Sequence, residues 1–158
     1  MDGALCLFAR KIRRCCSRGS TIEVEGESEV PKKTFTQKMA KPAVPEIVIL
    51  KKPALGCHAG DKLLIPTPRQ IEAYLVAIPP GETRTPLQMR EQLAKDERAD
   101  VACPLCSGMF LRIVCEASLD PHTDVSAPFW RIVDPKSPLA KKLSCGPEWI
   151  QSQRDSEA

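Results

Sequence analysis

Long apolar runs are missing from this 158-residue chain, histidine occurs twice, and the aromatic side chains are four Phe, two Trp and one Tyr. No run approaches the roughly 18 apolar residues that a membrane-spanning helix needs, so the sequence gives no reason to expect a membrane. With His58 and His122 as the whole histidine complement, the expectation is that the protein uses neither a metal nor another cofactor. So few aromatics can anchor only a modest core. Proline, by contrast, is abundant at 15 residues while hydrophobic residues stand at an ordinary 42%. That combination predicts one folded unit with a flexible appendage.

The charge is unevenly distributed. Net charge is +4 over residues 1–18, −4 over 19–31, +5 over 32–62 and −2 over 63–158. The positive charge therefore sits ahead of the part expected to fold, and any nucleic-acid contact there has to come from a local patch.

Eight cysteines (Cys6, Cys15, Cys16, Cys57, Cys103, Cys106, Cys115 and Cys145) are irregularly spaced, and no convincing secretory signal precedes them. A reducing, cytoplasmic setting is expected rather than a disulfide scaffold. Cys15 and Cys16 beside Arg13 and Arg14 fit a lipidated basic anchor, although a plain disordered leader accounts for the same residues.

Residues 1–45 read as a disordered leader and linker, because Gly, Ser, Thr, Glu, Lys and Pro surround isolated apolar positions. Residues 46–61 read as an extended arm, with a short strand near its start, and 154–158 as a tail. Between them, 62–153 carries the helix signals. Thr67-Pro68 opens a helix that Pro79-Pro80-Gly81 ends, and Thr85-Pro86 opens a second. A third follows Cys103-Pro104 and runs to about Ser118. Phe129 to Val133 reads as a strand, Asp134 to Gly146 as a hairpin-like excursion, and Pro147 to Gln153 as a short terminal helix. The fold class expected is mainly α with a small β wing, a winged-helix-like domain behind its leader.

Two motifs add to this outline. Ile78-Pro79-Pro80-Gly81-Glu82-Thr83-Arg84-Thr85 resembles the Ile-Pro-x-Gly-x-(Thr/Val)-x-(Thr/Ser) segment of the methylated-DNA–protein cysteine methyltransferases. Some fifty residues later, Pro128-Phe129-Trp130-Arg131-Ile132-Val133 stands where that family has Pro-Cys-His-Arg-Val-Val, and Gly146 is similar to the end of its wing. The resemblance spans roughly Leu63 to Gln153. Cys103-Pro104 with Ser107-Gly108-Met109-Phe110 is similar to a divergent branch. Such a resemblance implies a domain that binds the DNA minor groove and flips an alkylated guanine out of the stack. The family then moves the alkyl group onto its own cysteine.

The chemistry of that transfer needs a thiolate and a histidine to take its proton. Here Phe129 stands for the cysteine and Trp130 for the histidine, while Pro86 and about Leu105 stand for the family's tyrosine and arginine. Neither Phe129 nor Trp130 can accept an alkyl group or carry a proton, so no catalytic residue is expected at these positions. The resemblance implies a non-enzymatic, alkyltransferase-like DNA-binding protein concerned with damage recognition in DNA repair. Duplex DNA is the expected partner, and Arg131, Lys136, Lys141, Lys142 and Arg112 are the candidate phosphate contacts. Two alternatives stand beside it: an interaction module with a protein partner that kept the scaffold and lost DNA, and a thiol enzyme using Cys103 or Cys145. Cys103-Pro104-Leu105-Cys106 is a CxxC that suits redox chemistry or half a zinc site, or is simply two cysteines at a helix start. Cys115, at core spacing, reads as a small apolar filler.

Overall fold

The structure is a computed structural model that describes residues 34–40, 43–53 and 57–158. The candidate lipid-bearing Cys15 and Cys16, with Cys6, lie outside the described residues. Three Thr-x-x-Gln boxes start helices in the same way. Thr34, Thr67 and Thr85 each accept a hydrogen bond from the backbone N–H three residues on, and Gln37, Gln70 and Gln88 each reach back to the cap's own N–H. Two donors that a helix start leaves without partners are thereby satisfied at each site. The helices so capped are α1 (Phe35–Met39), α2 (Pro68–Val76) and α3 (Pro86–Asp96). Pro at the first position of α2 and α3 costs nothing, since its missing N–H would have been unpaired there.

Strand β1 (Glu46–Ile49) pairs antiparallel with β2 (Lys62–Ile65), and β2 pairs parallel with β3 (Val101–Ala102) in the order β1-β2-β3. Helices α2 and α3 form the crossover that a parallel pair requires. Helix α4 (Pro104–Leu119) packs against α1, α2 and α3, and α5 (Gly146–Glu157) closes the far side over two 3-10 turns, Phe129–Arg131 and Ala140–Lys142. The described chain is thus mainly α with a small sheet. Leu64, Ile71, Leu75, Met89, Leu111, Val114, Phe129, Ile132 and Ile150 are all fully buried in one core, and Cys115 fills space there as its spacing predicts. No helix among the described residues is long and apolar enough to cross a membrane.

Four expectations need correction. Phe129 to Val133 is not a strand, since Phe129–Arg131 forms a 3-10 turn. Residues 134–146 contain no strand either, because Pro135 and Pro138 lack the N–H donors of a hairpin ladder. The sheet is built instead from segments ahead of α4. Residues 154–158 are no loose tail, since α5 runs to Glu157 and two of its last residues are bonded into the domain. Nor does the leader extend to residue 45. Met39 on α1 is 3% exposed, and Thr36 Oγ1 donates to Asp120 at 2.6 Å.

The α1 contact carries a prediction. Met39→Ala should cost about 2 kcal/mol, the low end for emptying a buried Met site, and lower the thermal midpoint by roughly 5–10 °C. An unchanged midpoint would show that α1 adds nothing to the domain. A second concerns the end of α3, where Arg98 adopts φ 54 and Ala99 N donates to Ala94 O. This αL position favours Gly, so Arg98→Gly should raise stability by about 0.5–1 kcal/mol in denaturant melts. A loss would mean that the Arg98 side chain stabilises the turn.

Candidate functional site

The two motifs that lie fifty residues apart in sequence meet in space. Arg84 N donates to Arg131 O at 2.8 Å, and the Arg131 guanidinium donates to Ile78 O. The same guanidinium grips Glu157 through two bonds, Nε to Oε2 at 2.9 Å and Nη2 to Oε1 at 2.7 Å. Gly81, at φ 81, brings its N–H to 3.5 Å from Glu157 Oε2, a backbone conformation that a side chain would strain. Next to this knot, Arg154 Nε donates to Trp130 O at 2.6 Å. The paired charges and the Gly81 N–H hold the Glu157 carboxyl down at about 2. The Trp130 indole N–H favours the ionised form as well, although it makes no hydrogen bond of normal geometry.

Arg131 is therefore not a phosphate contact. Its side chain is 12% exposed and its donors are committed to Glu157 and Ile78. Sequence pattern made it look free because Arg154 and Glu157, the residues that enclose it, fall in the segment read as a tail. A shallow recess of about 220 Å³ borders the knot, lined by Gly81, Glu82, Arg131, Arg154 and Asp155 among others. It borders the Arg131–Glu157 ion pair and Arg154, whose bonds go to the Trp130 and Val133 carbonyls.

Phe129 and Trp130, which the sequence resemblance sets against the cysteine and histidine of that family, belong to an aromatic cluster. The Phe129 ring stacks on Trp149 with centroids 5.6 Å apart, and Trp130 meets both rings edge-on at 5.7 and 5.8 Å. Phe129 is 1% exposed. Indole and phenyl carbon fill this part of the domain.

The remaining cationic candidates fare differently. Arg112, on the outer face of α4, donates through Nη2 to Lys142 O at 3.3 Å, which ties the turn Ala140–Lys142 to the helix. Arg112 also lies over the Phe35 ring of α1 at 5.9 Å, and Lys38 over the same ring at 4.8 Å. Lys38, Arg112, Lys141 and Lys142 are all exposed. Among the described residues none of the four forms an ion pair. Glu116, one turn along from Arg112, is held by the Ser144 hydroxyl at 2.7 Å. Lys136 is exposed on the same excursion, where its N–H donates to Asp134 Oδ1. Lys38 was not among the residues that the pattern singled out, although the Thr34-x-x-Gln37 box was there to mark its helix.

The thiols separate cleanly. Cys145, at the start of α5, is half-buried and its thiol is pushed up chiefly by desolvation, which makes it a poor nucleophile at neutral pH. Cys103 caps α4 with its sulfur, which accepts from Cys106 N–H at 3.5 Å. The neighbouring Cys106 thiol favours the ionised form of Cys103, whose thiol is brought down to about 6, while Cys106 is pushed far up. Leu105, between them, is 55% exposed. Among the described residues no group of three His, Cys, Asp or Glu is placed to hold a metal ion. Comparison with family models, curated proteins and solved structures finds no match to this chain.

Proposed function

We propose that the chain is a non-catalytic, alkyltransferase-like protein that binds duplex DNA through the exposed face made by Lys38, Arg112, Lys141 and Lys142, and serves in recognition of damaged DNA. The observation that carries this proposal is four exposed cations on α1, α4 and the Ala140–Lys142 turn, with Arg112 bonded to that turn and lying, like Lys38, over the Phe35 ring. Exposed cations on one face neutralise phosphates and release their counterions. They give affinity and register without reading bases. The aromatic plug at Phe129 supports the non-catalytic half of the proposal.

Mutagenesis tests it. Changing Arg112, Lys141 and Lys142 together to Ala should weaken duplex binding by a similar factor on every sequence and flatten the slope of log affinity against log salt by roughly three units. Binding that survives with its slope intact would move the interface elsewhere. A second reading has one observation in its favour. The edge strand β1 exposes Ile47 at 44% and Ile49 at 63%, which suits a protein partner that adds a strand there.

A further inference from the structure

Cys103 and Cys106 take no part in the DNA face, yet they form the most chemically disposed cluster in the described chain. They lie three residues apart in the first turn of α4, where side chains at that spacing are neighbours and Cα atoms sit within the span a disulfide accepts. The Cys103 sulfur already accepts a hydrogen bond from the Cys106 backbone N–H at 3.5 Å. Both residues are 2% exposed. Four residues on, and so on the same side of the helix as Cys103, the buried Ser107 hydroxyl has no hydrogen-bond partner.

We propose that Cys103 and Cys106 are a peroxide-reactive dithiol, in which Cys103 is oxidised by a small hydroperoxide and Cys106 closes the disulfide. The Cys103 thiolate attacks one oxygen of hydrogen peroxide, the O–O bond breaks, and hydroxide leaves and takes a proton from solvent. Cys103 then carries a sulfenic acid. The Cys106 sulfur attacks the Cys103 sulfur, the S–O bond breaks, and the departing hydroxide takes the Cys106 proton. Two thiols have lost two electrons, and one peroxide has become two waters.

Each residue suits its part. The Cys103 thiolate is supported by Cys106, by the backbone at the start of the helix and by Arg90 of α3, against the opposing cost of burial. Cys57, in the segment ahead of β2, is the other titratable group close to it. Once oxygen is added to Cys103 the thiolate is gone, so Cys106 no longer gives up its proton's interaction by ionising, and the pressure that holds its thiol protonated falls. The Ser107 hydroxyl is a spare donor for the added oxygen. Burial selects the oxidant, because a peroxide reaches an enclosed sulfur through local opening of one helical turn where a bulky disulfide does not.

The test uses the full chain treated with less than one equivalent of hydrogen peroxide, blocked with N-ethylmaleimide and mapped by mass spectrometry. The expected first product is an intramolecular Cys103–Cys106 disulfide that dithiothreitol reverses. Its rate should rise roughly tenfold from pH 5 to pH 7 and stay level from pH 7 to pH 9, following the thiolate fraction of Cys103. In Cys106→Ser, dimedone should trap a sulfenic acid at Cys103. Preferential oxidation of Cys145 or of Cys6, Cys15 and Cys16, with Cys103 and Cys106 recovered as thiols, would overturn the proposal. So would a rate that climbs through pH 8–9 as an ordinary thiol's does. The wild-type map and pH profile decide the matter even if the variant does not fold.

Discussion

Phe129→Ala is expected to cost about 3–5 kcal/mol, the range for emptying a buried aromatic site, which is a large share of the 5–15 kcal/mol typical of a domain. Phe129 is 1% exposed, stacks on Trp149 and meets Trp130 edge-on. Removing it leaves a cavity against two indoles and strips α5 of an anchor to the Phe129–Arg131 turn. Phe129→Leu, which keeps most of the volume, should cost much less. Chemical denaturation of the three proteins measures this. If Phe129→Ala unfolded with the wild-type midpoint, the aromatic cluster would be a surface feature and the position would be free for another use. The same packing makes Phe129 a residue that the core depends on.

The second large effect is expected at the Arg131–Glu157 pair. Glu157 titrates at about 2 in the folded protein against an ordinary 4.5, so folding favours its ionised form. The stabilisation is complete above about pH 4.5 and is lost as pH falls from there toward 2. The shift corresponds to roughly 2–3 kcal/mol once partial solvent contact is allowed for, Glu157 being 18% exposed. Glu157→Gln should therefore lower stability at pH 7 by about that amount and give a flatter acid limb between pH 4.5 and 2. A variant whose acid limb matched the wild type would show that the pair contributes nothing. Because Arg131 also bonds Ile78 O, Arg131→Ala should be at least as damaging and should loosen the Ile78 to Thr85 segment together with the end of α5.

What the sequence made legible follows from range. Helices α2, α3 and α4 begin where Thr67, Thr85 and Cys103-Pro104 place them, since capping is decided by residues within one turn. Helix α1 carries the same Thr-x-x-Gln signal but is only five residues long and sits in polar surroundings. Tertiary contacts hold it, with Met39 buried in the core, Phe35 packed against it and Thr36 bonded to Asp120. The segment from Phe129 to Val133 has strand composition, but three buried aromatic and aliphatic side chains settled their placement through tertiary contact, which β propensity does not encode. Composition counted Arg131 as a surface cation because its partner lies 26 residues away on α5. The neighbourhood of Arg112 with Lys38 was equally out of reach, being set by how α1 lies across α4. The CxxC could be read directly, whereas its buried, hydrogen-bonded state could not.

Salt dependence of binding to duplex DNA by the full chain bears most directly on the proposed role. Titrations at 50, 100 and 200 mM salt against duplexes with and without a methylguanine should give binding that weakens steeply. Its log–log slope should be close to −4, about −0.9 for each of the four cations on the face. Tighter binding to the methylguanine duplex, with no methyl group recovered on the protein, would complete the agreement. Failure to bind any duplex at the lowest salt, or binding indifferent to salt, would contradict the DNA-binding account and leave the exposed β1 edge as the surface to pursue.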